Sequence, residues 1–105
     1  MVIDEFLKIA IERDASDLHL KAGNHPMIRI HGTLTPLTGF PRLTVADTQE
    51  LANQMMSDYQ RRMLGQDFDI DLAYSLTGFG RFRGNIYHQR GSMAIALRII
   101  PLEVR

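Results

Sequence analysis

The chain of 105 residues has the size of one compact domain, and its 45% hydrophobic and 23% charged residues are typical of a globular protein rather than a disordered one. It contains no cysteine, which excludes a disulfide scaffold, a cysteine nucleophile and a thiolate zinc site. The formal net charge is zero. The sequence contains no run of about 18 apolar residues, so it predicts no membrane-spanning helix.

The first third of the chain predicts one helix followed by strands. Apolar residues recur at helical spacing from Ile3 through Ile11, which is typical of a helix with one face packed on a sheet. The next segments alternate between apolar and polar residues, and strand parity places His19 and His31 on exposed faces. The pair His31-Gly32 predicts a tight hairpin turn, because glycine tolerates a positive φ. The predicted elements are a helix over residues 3–13 and strands over residues 16–21, 27–31 and 33–35.

Two further helices and three strands are predicted in the rest of the chain. Thr44 is expected to cap a helix, with Asp47 at the third helical position of a capping box, and Gly65 is expected to end a second, short helix. Period-two alternation then returns, interrupted by turn residues at 77–80 and at Gly91. The predicted elements are helices from Thr44 to about Met56 and over residues 59–64, and strands over residues 67–74, 81–89 and 93–100. This order predicts an α+β fold with an antiparallel sheet and helices packed on it.

The aspartates and histidines do not form a recognisable metal or catalytic motif. Asp67, Asp69 and Asp71 match the first three positions of a calcium loop, but the required glycine and glutamate are missing, and the alternation favours a solvated strand face. The four histidines fit no zinc-binding pattern, and in residues 16–19 the serine lies on the opposite strand face from the histidine. There is no GxxxxGK[ST] motif for a phosphate-binding loop. We therefore expect neither metal ligands nor catalytic residues in this chain.

Charge is distributed unevenly along the chain despite its zero net value. Residues 73–105 contain five arginines and one acid, whereas residues 42–72 contain six acids and three bases. Arginine presents a planar fork suited to phosphate and carboxylate groups, so the C-terminal segment points to an anionic partner. Salt bridges between these arginines and the acids of residues 42–72 are the structural alternative.

Arg81 and Arg83 share one strand face with Tyr87, which allows two functional interpretations. One is single-stranded nucleic acid, with bases stacked on aromatic side chains and arginine on phosphate. The other is an arginine surface presented to the phosphates of a nucleotide that another domain or subunit holds. Residues 78–80 are close to an RNA-recognition signature, but Arg81 shifts Phe82 out of its register. This shift and the zero net charge weigh against nucleic acid.

Five motifs in chain order carry a closer identification. They are Ala-Ser-Asp-Leu-His-Leu at 15–20, Pro-Met-Ile-Arg-Ile-His-Gly at 26–32, Gly-Phe-Gly-Arg-Phe-Arg-Gly-Asn at 78–85, Gln-Arg-Gly-Ser at 89–92 and Arg-Ile-Ile-Pro at 98–101. In this order they resemble the N-terminal domain of the PilT-like type IV pilus retraction ATPases, within the type II/IV secretion ATPase superfamily. The resemblance covers nearly the whole chain. Gly84 stands where valine is usual, so we expect the strand to be looser there.

The resemblance implies a PAS-like N-terminal domain over residues 1–105, with a RecA-like ATPase domain carrying the Walker motifs after Arg105 in the parent protein. The parent is implied to be a cytoplasmic hexamer, peripheral at the inner membrane, that hydrolyses ATP with Mg²⁺ to retract the pilus in twitching motility. Its implied partners are the ATPase domain of the neighbouring subunit and the pilus inner-membrane platform protein, with no nucleic acid. By itself the chain is expected to be no enzyme and to bind neither a cofactor nor a metal.

The matching motifs imply that four arginines reach the nucleotide of a neighbouring subunit, Arg83 first, followed by Arg98, Arg90 and Arg81. The alternative function is a single-stranded nucleic-acid-binding domain. A small-ligand sensor is a third, since PAS-like folds often enclose pockets, although no convergent polar set inside the apolar faces supports it.

Overall fold

The structure, a computed structural model, describes residues 1–65 and 69–100. Its elements in chain order are α1 (Ile3–Glu12), β1 (Asp17–Leu20), β2 (Met27–Ile30), β3 (Thr33–Pro36), α2 (Val45–Met55), α3 (Asp58–Leu64), β4 (Ile70–Leu76), β5 (Gly80–Gln89) and β6 (Ser92–Ile100). The predicted α+β class is confirmed, because the six strands form one sheet in which every neighbouring pair is antiparallel. In these two ranges, no helix has both the length and the apolar character needed to cross a lipid bilayer.

Helices α2 and α3 begin at side-chain caps that can be read in the sequence. Thr44 Oγ1 accepts a hydrogen bond from the Asp47 backbone N–H at 3.0 Å, and the Thr44 N–H donates to Asp47 Oδ2 at 2.8 Å. This is the predicted capping box, and it begins α2. An equivalent box between Ser57 and Gln60 begins α3, which ends at the predicted Gly65.

The sheet order β3-β2-β1-β6-β5-β4 joins two three-stranded halves through the pairing of β1 with β6. Tight turns make two of the hairpins. His31 and Gly32 have φ of 49° and 82° in the two-residue turn between β2 and β3, as predicted. Arg90 and Gly91, with φ of 53° and 82°, form an equivalent turn between β5 and β6. Because β1 pairs with β6, the first and last of the described strands lie side by side in the centre of the sheet.

All three helices pack on one face of the sheet, which we call the inner face. Phe6 of α1, Leu51 of α2 and Leu64 of α3 belong to the same buried cluster as the strand residues Leu18 and Phe82. Alternation along the strands then puts the polar residues on the opposite face, which we call the outer face. Asp17 of β1 and Arg83 of β5 lie there, beside the buried Leu18 and Phe82.

Two expectations about the second half of the chain need correction. The strand predicted at residues 67–74 begins at Ile70, with the exposed Asp69 just before it, and Asp67 lies outside the described residues. The strand is not loose at Gly84 either. A Cβ atom added at Gly84 would lie 2.3 Å from the Ala96 carbonyl oxygen and 2.3 Å from Leu97 Cδ2, so its neighbours already fill the space.

Candidate functional site

The strand register aligns four charged residues in one row across the outer face. Arg29 of β2 lies opposite Asp17 of β1, and Asp17 lies opposite Arg98 of β6. Arg98 in turn lies opposite Arg83 of β5. We call these residues the charged row. With three arginines and one carboxylate, the row carries a local excess of positive charge.

Asp17 is the carboxylate that two arginines of the row share. Its Oδ2 lies 3.6 Å from Arg29 Nε, and its Oδ1 lies 3.7 Å from Arg98 Nε. The Asp17 side chain is only 14% exposed, whereas that of Arg98 is 78% exposed. The carboxylate is therefore fixed in the sheet, while most of the Arg98 side chain remains in contact with solvent.

Arg83 and Arg81 are exposed, and neither forms an ion pair with any residue in the described ranges. The register partners of Arg83 are Ala73 and the like-charged Arg98. The register partners of Arg81 are Ser75 and Ile100. Like charges directly opposite each other in a sheet are unfavourable, so Arg83 beside Arg98 forms a surface that a bound anion would stabilise.

The acids of residues 42–72 do not neutralise these arginines within the described part of the chain. Strands β4 and β5 pair with their polar faces matched, so Asp71 lies on the outer face opposite Asn85. The Asp71 carboxylate accepts a hydrogen bond from Asn85 Nδ2 at 2.9 Å and makes no ion pair with a described arginine. The carboxylate that does reach the arginine surface is Asp17, which comes from the other end of the chain.

The charged row borders an open concavity of about 460 Å³ on the outer face. Its lining residues are Asp17, His19, Asp71, Arg83, Gly84, Asn85, Ala96, Leu97 and Arg98. Two arginines, Arg83 and Arg98, line it together with two aspartates, Asp17 and Asp71, and the Asp71 carboxylate is hydrogen-bonded to Asn85.

Arg90 does not lie with the other three predicted arginines. It occupies the β5–β6 turn, seven residues along the chain from Arg83, which is roughly 20 Å in an extended strand. It lines a different concavity, together with Lys21 and Asn24. The structure therefore brings together Arg81, Arg83 and Arg98, and it places Arg90 at the far end of the hairpin.

His19 is less exposed than strand parity predicts. Its Nε2 is buried, lies 3.8 Å from Asp17 Oδ2 and has no hydrogen-bond partner among the described residues. Burial lowers the pKa of His19 below its ordinary value of 6.5, although the Asp17 carboxylate opposes this shift. In the described ranges, no group of three or more His, Asp or Glu side chains is placed to hold a metal ion.

Sequence reasoning missed the role of Asp17, although strand alternation puts Asp17 on the same face as His19, which was predicted to be exposed. That role depends on the pairing of β1 with β6. The paired residues Asp17 and Arg98 are about 80 positions apart in the sequence, which is most of the length of the domain. The one available signal is a single acid on a polar strand face, which on its own is ordinary surface chemistry.

Comparison with known proteins relates the whole chain to ATPases of the type IV pilus. It is 34% identical over 104 residues to the type IV pilus retraction ATPase PilT of Pseudomonas aeruginosa, and 31% identical over 104 residues to the type IV pilus ATPase PilU of the same bacterium. Each alignment covers 99% of this chain. Among solved structures, the pilus retraction motor PilT with bound ADP matches 100% of this chain with a TM-score of 0.91 and 47% identity.

The chain spans only part of each of these proteins. It covers 30% of the Pseudomonas PilT, 27% of PilU and 31% of the crystallised PilT chain. No protein-family model matches it. The resemblance expected from the five motifs is confirmed along the full length of the chain.

Proposed function

We propose that this chain, which is related over its whole length to the PilT-like ATPases and has the fold of the PilT N-terminal domain, is the regulatory and assembly domain of a hexameric motor ATPase that drives type IV pilus retraction. In this role the domain packs on the ATPase domain of the neighbouring subunit. It lends arginines to the nucleotide site there.

The observation that carries the proposal is the position of Arg83 on the outer face. It is exposed, has no counter-ion in the described ranges, and lies opposite Arg98 in the adjacent strand. The helices cover only the inner face, so the outer face is open to a partner. During hydrolysis of a nucleoside triphosphate, negative charge develops around the terminal phosphate. A guanidinium placed against that phosphate stabilises the charge. Arg83 and Arg98 fit that task, and Arg81 lies on the same face.

The remaining chemistry belongs to the parent protein. We infer that a RecA-like domain after Arg105 binds ATP and Mg²⁺ through its Walker motifs, since the sequence of this chain has no phosphate-binding loop. The domain described here would then be a non-catalytic partner that completes the site from a neighbouring subunit. A retraction motor acts from the cytoplasmic side of the inner membrane, where it meets the pilus platform protein.

The test is the substitution Arg83→Ala in the complete ATPase. ATP turnover should fall at least tenfold, which corresponds to roughly 1.4 kcal/mol of transition-state stabilisation. Arg83→Lys should restore turnover only in part, because lysine keeps the charge but lacks the bidentate fork. Arg62→Ala is the matched control, since Arg62 is an exposed arginine on α3, and the helices lie on the opposite face of the sheet from Arg83.

A stability measurement on the 105-residue chain distinguishes this role from a structural one. Arg83→Ala should not lower the free energy of unfolding by more than about 0.5 kcal/mol, as for an ordinary surface substitution. Normal turnover in the Arg83→Ala enzyme would remove Arg83 from the nucleotide site. Strong destabilisation of the chain would show that Arg83 serves the fold instead.

A further inference from the structure

A second concavity, of about 490 Å³, lies at the other side of the outer face, beside β2 and β3. Its lining residues are His19, Lys21, Asn24, His25, Met27, Arg29, Leu34, Pro36 and Arg42. The volume is within the range of small-molecule sites. The described lining of this concavity includes none of the four arginines expected to reach the nucleotide, which are Arg81, Arg83, Arg90 and Arg98.

Two loops form the outer wall of this concavity, and backbone hydrogen bonds join them to each other. The Gly23 N–H donates to the Leu43 carbonyl at 2.7 Å, and the Leu43 N–H donates to the Asn24 carbonyl at 2.8 Å. The Leu37 N–H donates to the Pro26 carbonyl at 2.8 Å. The wall is thereby built before any ligand arrives, which reduces the entropy that binding must overcome.

Two polar side chains are held in place across the same loops. Arg42 Nη1 donates to the Gly23 carbonyl at 3.2 Å, which fixes the guanidinium without a carboxylate. His25 Nδ1 lies 2.8 Å from the Phe40 carbonyl oxygen, and since that oxygen can only accept, Nδ1 carries the proton and donates it. The His25 ring is thus oriented by its own backbone bond at the wall of the concavity.

The concavity has an uncompensated positive charge. Among the residues that the structure describes, Lys21, Arg29 and Arg42 line it, and no aspartate or glutamate does. Arg29 is partly neutralised by Asp17 at 3.6 Å, but neither Lys21 nor Arg42 forms an ion pair with any residue in ranges 1–65 and 69–100. Two full cations and part of a third therefore face the same space.

The remaining lining is apolar. Met27, Leu34 and Pro36 come from the paired strands β2 and β3, and Leu34 is 43% exposed. An apolar patch next to fixed cations is complementary to a molecule with a flat apolar body and one strongly anionic end. A phosphate monoester, which carries close to two negative charges at neutral pH, matches the charge better than a carboxylate does.

From this arrangement we propose that the concavity is a binding site for a small phosphate monoester with an apolar group. The phosphate lies between Lys21 and Arg42, and the apolar group lies on Met27 and Leu34. The proposal goes beyond the motor role and does not depend on it, because its residues are separate from Arg81, Arg83 and Arg98.

The test uses the 105-residue chain, labelled with ¹⁵N, and phenyl phosphate as the probe. Saturable shifts of the backbone amides should cluster at residues 19–27 and 34–43, with a Kd of about 1 mM or below. Inorganic phosphate and benzyl alcohol, which each offer half of the chemistry, should bind at least tenfold more weakly. Lys21→Gln should weaken phenyl phosphate at least tenfold, and Arg83→Ala should leave its affinity unchanged.

Three results would overturn the proposal. The first is the absence of saturable shifts. The second is equal binding of inorganic phosphate, which would mean that the apolar lining has no role. The third is a set of shifts around Arg83 that Arg83→Ala abolishes while Lys21→Gln does not, which would assign the anion to the charged row. The last result would leave the motor proposal intact, so the two proposals fail separately.

Discussion

The charge balance of the outer face depends on one residue, Asp17. Its carboxylate is the only one in the charged row, and the arginines on its two sides are close to it. Asp17→Asn keeps the shape of the side chain and removes its charge, which leaves the three arginines of the row without a carboxylate between Arg29 and Arg98. The free energy of unfolding should fall by about 1 kcal/mol at low salt, because the ion pairs involve exposed arginines and are individually weak.

Salt concentration identifies the cause of that loss. Added salt screens repulsion between exposed arginines, so the difference between Asp17→Asn and the unsubstituted chain should shrink at high ionic strength. Asp71→Asn is the control on the same face, since Asp71 is bonded to Asn85 rather than to an arginine, and it should change stability by less than about 0.5 kcal/mol. If Asp17→Asn is as stable as the original chain at low salt, Asp17 does not balance the row.

His19 makes the stability of the domain depend on pH, and the burial of its ring sets the direction of that dependence. Burial lowers the pKa of its imidazole below 6.5, so the unfolded chain takes up a proton at this residue more readily than the folded one. The stability that neutral His19 contributes is complete above its unfolded pKa, and it is lost progressively as pH falls toward the lower folded pKa. His19→Gln should therefore lose less stability than the original chain between about pH 7.5 and about pH 5.5, as measured by urea unfolding. Equal losses in the two proteins would contradict the burial of this ring.

Strands β5 and β6 are in tight contact at Gly84, and we predict that a larger side chain there lowers the stability of the domain. Gly84→Ala places a Cβ atom against the Ala96 carbonyl and Leu97, and it should lower the free energy of unfolding by about 1–3 kcal/mol, as overpacking does. Gly39→Ala is the matched control, because a Cβ at Gly39 meets nothing within 4 Å and its φ is not positive. Urea unfolding of both variants checks this, and equal stability would mean that β5 and β6 can separate locally at little cost.

The elements were predictable from sequence wherever their cause is local. The cap at Thr44, the turn at His31-Gly32 and the alternation of β5 each depend on residues a few positions apart. The pairing of β1 with β6 has no such signal, so neither the partnership of Asp17 with Arg98 nor the second concavity was foreseen. Arg90 was grouped with Arg83 on the family resemblance alone, although the strand predicted over residues 81–89 already placed the two arginines near opposite ends of that strand.

At the scale of the whole molecule, the charged row is a product of the complete fold. Arg29 and Asp17 come from the half of the sheet built by β1 to β3, and Arg83 and Arg98 come from the half built by β4 to β6. Within the sheet the two halves pair along β1 and β6, so the complete charged row forms only when both halves are in register, although Arg83 and Arg98 already lie opposite each other in the β5–β6 hairpin. The β5–β6 hairpin therefore presents Arg83 and Arg98, and the pairing of β1 with β6 adds the carboxylate of Asp17 beside Arg98.

The positions of the aromatic side chains distinguish an arginine surface that binds a nucleotide from one that binds single-stranded nucleic acid. A strand of nucleic acid needs aromatic side chains beside the arginines on which bases can stack. Phe82 is fully buried on the inner face, and Phe79 lies in the β4–β5 turn with Lys8 Nζ 5.1 Å from its ring centre. Of the aromatic residues in β5, only the half-buried Tyr87 shares the outer face with Arg83. The stacking platform is therefore nearly absent from this strand.

We accordingly expect weak binding of oligonucleotides by the 105-residue chain. Its net charge is zero, so attraction to phosphates is limited to the local excess on the outer face. Fluorescence anisotropy with a labelled single-stranded oligonucleotide should give a Kd no tighter than about 10 µM at physiological salt, and affinity should fall steeply as salt rises. Substituting Arg83 and Arg98 together by alanine should remove most of the binding that remains at low salt, whereas Arg62→Ala should not. Sub-micromolar binding at physiological salt would favour a nucleic-acid-binding domain over the motor domain, because an electrostatic surface without stacking partners does not reach that affinity on a neutral protein.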